Sequence, residues 1–178
     1  MRMLCLDFFE SDWRDFRGRW LRECLREPEW IGQFLDRWNL HVAVPPNEPT
    51  LLVLIELRSL MRRVVECLPD KQPADDDLDA LNALIEKAPS VSLLTWNGAY
   101  HLELKPHRQD WDLVMAKIAI SFADLLVNYD LKRLKICENP YCSGIFYDQT
   151  KSRTRRWCTN SKCGNLWKLR RFRERHRV

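Results

Sequence analysis

Four cysteines near the end of the chain constrain its folding more than any other feature. Cys137 and Cys142 form one Cys-x4-Cys pair, and after fifteen residues Cys158 and Cys163 repeat the spacing. Both pairs read Cys-x-Asn-x-x-Cys, through Asn139 and Asn160. In a reducing compartment, paired cysteines at this spacing favour a metal over disulfides. Cys5, Cys24 and Cys67 stand singly among apolar residues and are expected to be small buried hydrophobes.

The segment between and after the pairs has too few apolar side chains to fold without a staple. Asn139 and Asn160 are expected to turn the backbone into the left-handed region and to aim amide N–H groups at the thiolates, supporting them from outside the ligand shell. Gly144 and Gly164 follow the pairs, where close backbone approach is useful. Residues 145–148 and 155–157 read as two strands of a hairpin joined by the polar turn 149–153. Leu166, Leu169 and Phe172 then recur at three-residue spacing, which predicts a helix with a narrow apolar seam. Knuckle, hairpin and a second ligand pair at a helix start make a treble-clef-like layout, in which the helix N-terminus favours the thiolate. A tetrahedral zinc on four thiolates is the favoured reading; an iron–sulfur cluster takes the same ligand set.

Upstream, helical periodicity dominates. A helix is expected over 12–26, with Trp13, Phe16, Trp20, Leu21, Cys24 and Leu25 on one face, and a short one follows with Trp30, Ile31, Phe34, Leu35 and Trp38 inward. Three prolines in 45–49 make a loop. Thr50 is placed to cap a long helix to about Leu68, and the acids Asp75, Asp76 and Asp77 lead into a helix carrying Leu78, Leu81, Ile85 and Ala88. Residues 91–104 break the period; with Asn97-Gly98 between their halves they predict a β-hairpin. A last long helix is expected over 108–131. The aromatic and aliphatic rows are expected to be core. His41, His101, His107 and His176 show no ligand or triad spacing. The fold class is therefore mainly α: a helical unit over 1–136 with one hairpin, and a four-cysteine finger over 137–178.

Charge divides the chain near the same place. Residues 151–178 hold eleven Lys or Arg and one acid, Glu174, whereas the 150 residues before them carry 18 bases and 24 acids. A cationic tail on an acidic body points to an acidic partner. Lys168, Arg171 and Arg175 share one helical face, Arg170, Arg173 and Arg177 flank it, and the hairpin before adds Lys151, Arg153, Arg155 and Arg156. Such a cluster makes phosphate contacts whose strength falls steeply with salt. The longest uncharged apolar run, 51–55, is far below the roughly 20 residues of a membrane span, and the acid in the first apolar stretch argues against a signal peptide. A cytoplasmic protein is expected.

The run from Cys137 onward resembles the CGNR zinc-finger family. It carries Phe146-Tyr147-Asp148, Arg155-Arg156-Trp157-Cys158, Cys163-Gly164-Asn165 and a basic helix from Lys168, and it departs from the family at Leu166, where the signature has arginine. Leu6-Asp7-Phe8, Leu57-Arg58 and Leu81-Asn82-Ala83-Leu84 are similar to the helical ABATE domain that precedes such fingers. The resemblance implies zinc on Cys137, Cys142, Cys158 and Cys163, support from Gly164 and Asn165, and a bacterial, stress-related transcription regulator. The expected function is thus a zinc-binding regulator that binds double-stranded DNA, with a helical part that senses an effector or forms homo-oligomers. Two alternatives stand beside it: a zinc-stapled platform for an acidic protein, and an RNA-binding protein. Four cysteine ligands close the metal shell, so no enzyme is expected.

Overall fold

The computed structural model describes residues 2–15, 17, 19, 21–68, 72–106, 108–142 and 144–176, with backbone alone at 13, 14 and 104. Its elements run α1 (Leu4–Phe9), β1 (Asp12–Arg14), β2 (Leu21–Glu23), α2 (Pro28–Arg37), α3 (Glu48–Cys67), α4 (Asp75–Glu86), β3 (Ser90–Trp96), β4 (Tyr100–Pro106), α5 (Trp111–Asn128), β5 (Leu134–Ile136), β6 (Ile145–Tyr147) and α6 (Asn165–Arg175). The strands form three separate antiparallel pairs, β1 with β2, β3 with β4 and β5 with β6. The fold is mainly helical, as the periodicity predicts.

Helix α5 is central because it is apolar nearly all round, burying Trp111, Val114, Met115, Ile118, Phe122 and Leu125 among others. Such a helix has to be covered on several sides. Helices α1, α3 and α4 pack on it, with Leu54, Leu57, Met61 and Val64 of α3 and Phe8 of α1 in the shared core. Burial of each large side chain contributes about 1.5–3 kcal/mol. Asp110 caps α5 by accepting from the Leu113 amide at 3.2 Å. The cap of α3 is Asn47 rather than Thr50: Asn47 Oδ1 accepts from both the amide and the hydroxyl of Thr50, at 3.0 and 2.7 Å. Pro49 can stand inside the first turn because its missing N–H is one of the amides left without an intrahelical acceptor there. Asp75, Asp76 and Asp77 occupy the first turn of α4 as expected. Cys5 and Cys24 are buried, whereas Cys67 is only partly so.

The helix expected over 12–26 does not form. Asp12, Trp13 and Arg14 pair instead with Glu23, Arg22 and Leu21, and a 3-10 turn follows at Cys24–Arg26. A buried polar contact outweighs the local preference here: Arg58, buried on α3, donates at 2.8 Å to both the Ser11 hydroxyl and Glu23 Oε1. That guanidinium can serve both only if the chain returns on itself between them. Phe16 and Trp20, placed on the expected helix, lie outside the described residues, as do the side chain of Trp13 and all of His107 and Arg177. The hairpin β3–β4 forms with Trp96 opposite Tyr100, so its turn has three residues, and of Asn97 and Gly98 only the glycine takes a positive φ, 77°. Among the described residues no helix is long and apolar enough to cross a membrane.

Candidate metal centre and basic helix

The two cysteine pairs meet at one point. Their four Sγ atoms all lie within 4.8 Å of one another, with Cys142 to Cys158 at 3.6 Å and Cys158 to Cys163 at 3.7 Å. Four sulfurs about 2.3 Å from one tetrahedral zinc stand about 3.8 Å apart. The donor set therefore fits a single ion, and a cluster of several metal atoms would hold the thiolates farther apart. Without a cation, thiols this close titrate against one another. Hydrogen bonds from Cys142 and Cys158 pull the Cys137 thiol down, and the same contacts push the other two up. A bound dication removes that conflict by stabilising all four thiolates.

The first knuckle is built by β5 and β6. Leu134, Lys135 and Ile136 pair with Tyr147, Phe146 and Ile145. This corrects the expected hairpin: 145–147 is a strand, but its partner lies before the first cysteine, and 155–157 is not a strand. Residues 155–157 cannot pair because their neighbourhood is committed elsewhere. Asp148, fully buried, accepts from Lys135 Nζ at 2.8 Å, the Thr150 hydroxyl at 2.6 Å, the Thr150 amide at 3.0 Å and the Arg155 amide at 2.9 Å. Burial alone would raise its carboxyl, but these donors outweigh burial and hold it well below the usual carboxylate range. Lys135 Nζ also reaches the Arg153 and Arg155 carbonyls at 2.5 and 3.2 Å. One carboxylate and one ammonium thus shape the loop that delivers Cys158.

Around the thiolates, the Gly144 carbonyl accepts from the Cys137 amide at 2.8 Å. A Cβ on Gly144 would come within 3.3 Å of both Cys142 Sγ and Cys158 Sγ. The expected close approach is therefore present, as it is at Gly164, where a Cβ would meet the Trp157 ring at 3.2 Å. The expectation for the asparagines holds in part. Neither Asn139 nor Asn160 has a positive φ, but backbone amides do face the thiols, that of Asn139 at Cys137 and that of Gly144 at Cys142; buried Asn139 adds its side chain, donating Nδ2 to Cys163 Sγ at 3.4 Å and accepting from the Tyr141 amide at 3.3 Å. Asn165 Nδ2 bonds the Ser161 carbonyl at 3.1 Å, tying the π-turn Asn160–Gly164 to α6. Asn139→Ala is expected to weaken zinc binding about 10–100-fold, the usual loss on removing a donor to a ligand. Competition with a chromophoric chelator measures it, and unchanged affinity would remove Asn139 from the site.

Comparison with family models now gives a decisive result. Residues 133–176 match the CGNR zinc finger, and residues 3–129 match ABATE, described as "Putative stress-induced transcription regulator". The chain belongs to the ABATE family and carries a CGNR zinc finger. Its four clustered cysteines bind zinc. Comparison with curated proteins gives no match.

The cations of this CGNR finger fall into two groups. Arg153 pairs with Asp130 at 3.1 Å, Arg156 Nε donates to Glu138 at 2.7 Å, and Arg155 donates to the Trp157 and Cys158 carbonyls while lying over the Phe146 ring at 4.5 Å. Arg155 and Arg156 are thus occupied within the finger, and Arg153 is held by an acid of the helical part. Lys151, Lys168, Arg171, Arg173 and Arg175 are exposed and make no ion pair among the described residues. Arg170, half-buried, lies over the Tyr141 ring at 4.8 Å. The expected apolar seam of α6 is shifted: Leu166 and Trp167 face inward, Trp167 against Trp157 at 5.4 Å, whereas Leu169 and Phe172 are exposed. Leu166, standing where the signature has arginine, is half-buried. A cleft of about 520 Å³ separates the finger from the helical part; Asp7, Glu10 and Trp30 line one wall and Phe146, Arg155 and Lys162 the other.

Proposed function

We propose that this protein is a DNA-binding regulator whose zinc finger presents α6 to the phosphate backbone. The observation that carries the reading is the outward face of α6. Lys168, Arg171 and Arg175 lie three and four residues apart on it, all exposed and without an acid partner among the described residues. Arg173 flanks them, while Tyr141 and Trp157 hold the inner face. A helix with that display, fixed at its start by a metal ligand, offers rigid phosphate contacts at little entropic cost. Exposed Phe172 on the same side is an apolar group able to touch base edges or sugar. The zinc has a structural role in this reading, because four thiolates leave no position for water and hence no catalytic site.

Fluorescence anisotropy with a labelled duplex at two salt concentrations tests the reading. The zinc-loaded protein is expected to bind with steep salt dependence. Lys168→Ala, Arg171→Ala and Arg175→Ala together are expected to weaken it at least tenfold and to reduce the salt slope by about 1 per lost contact. Equal affinity in the variant, or no salt dependence, would overturn it.

A further inference from the structure

The β3–β4 hairpin poses a problem that the rest of the fold does not solve. Its two strands pair along their full length, yet among the described residues it makes no extended contact with any other element. An isolated two-stranded hairpin is marginal in water and is normally covered on one face. The two faces differ. One carries Thr95, Glu103 and Lys105, with the Thr95 hydroxyl donating to Glu103 at 3.1 Å and Lys105 pairing with Glu103 at 3.5 Å. On the other, Leu94 stands opposite Leu102 and Trp96 opposite Tyr100, and these four side chains are 69, 72, 66 and 75% exposed. The rings of Trp96 and Tyr100 are in contact, with centroids 4.8 Å apart. Ser90, Ser92 and Pro106 complete the described part of that face, which therefore bears no charge.

We infer that two copies of this chain associate through the Leu94–Trp96–Tyr100–Leu102 face of the hairpin. Aromatic side chains offer about 150–250 Å² each and leucines somewhat less, so at this exposure the four present at most about 550 Å², and two copies bury at most about 1,100 Å² together. That reaches the roughly 1,000 Å² at the low end of specific interfaces. The face offers no cation to a phosphate backbone and fits an identical apolar face. The pairing is self-complementary as a two-fold contact requires, with the Leu94–Leu102 rung and the Trp96–Tyr100 rung of one copy meeting those of the other. It also covers the hairpin on the face that alternation has made apolar. The inference is independent of the DNA-binding reading, because none of the α6 cations takes part.

Sedimentation velocity on the full, zinc-loaded chain over a micromolar dilution series tests it. The wild type is expected to sediment as a dimer. Leu94→Glu with Leu102→Glu is expected to weaken association at least a hundredfold and give a monomer that keeps one zinc per chain. Leu93→Glu, on the opposite face, controls for unravelling of the hairpin and is expected to remain a dimer. A wild type that stays monomeric overturns the inference, including one that instead adsorbs to lipid vesicles. So does a dimer that survives the double substitution, or one that Leu93→Glu dissociates equally.

Discussion

Stripping the metal with a strong chelator is expected to unfold residues 137–176 and leave the helical part standing. The finger's core consists of Cys137, Phe146 and Cys163, with Cys142, Trp157 and Cys158 packed against it. Four of those six are the ligands themselves, so removing the ion removes the centre of the unit and leaves thiols with nothing to draw them together. Structural zinc of this kind contributes about 10–16 kcal/mol of binding free energy, more than the unit's few apolar contacts could replace. The helical part has its own core around Phe122, Ile118 and Met61. Amide hydrogen exchange reads both at once: α6 should lose its protection while α3 and α5 keep theirs. The boundary should fall near β5 and β6, whose Leu134 and Ile145 belong to the larger core. Cys163→Ser should act like the chelator. Protection of α6 that survives chelation would contradict a metal-dependent finger.

Asp148→Ala is expected to be the most damaging single change outside the ligands. The carboxylate is fully buried and collects four donors from three stretches of chain, so its loss leaves the Lys135 ammonium with only the Arg153 and Arg155 carbonyls and frees the Thr150 and Arg155 amides. Removing one partner of a buried ion pair costs about 3–5 kcal/mol. Because the same contacts set the course of the chain into Cys158, zinc affinity should fall with stability. Denaturant titration and a metal competition assay on the same variant measure both. A loss below about 1 kcal/mol would mean that the loop holds its shape without this carboxylate. Asp148→Asn keeps the size but not the charge, and should fall between the two because an amide still accepts from the backbone.

The sequence reveals the ligand set and the helical class because each is written in local spacing. Four cysteines in two like pairs have few alternatives, and the stripes of α3 and α5 are long enough to decide between helix and strand. What stays hidden depends on distant partners. The stretch after Ser11 looks helical by itself and becomes β1 and β2 only because Arg58, far along the chain, binds both Ser11 and Glu23. The strand partner of 145–147 is equally invisible, since Leu134–Ile136 precedes the motif and carries no mark of its own. Asp148 stood in the motif, yet nothing local indicates that it would be buried among Lys135, Thr150 and Arg155. The basic cluster was legible as a count but not as a surface: Arg155 and Arg156 are engaged inside the finger and Arg153 by Asp130 of the helical part, and only the geometry separates them from Lys168, Arg171 and Arg175. The exposed face of the β3–β4 hairpin could not be told from core in the sequence, because alternation specifies an apolar side without saying what covers it.

In the proposed function, zinc holds α6 in the form that binds DNA. The most direct test follows the anisotropy of one labelled duplex with the full chain, first loaded with zinc, then stripped by a chelator, then resupplied with zinc. Binding, its loss as α6 comes free of Cys163, and its recovery with the metal are expected. Binding that persists undiminished in the stripped protein, or that never occurs in the loaded one, would contradict it.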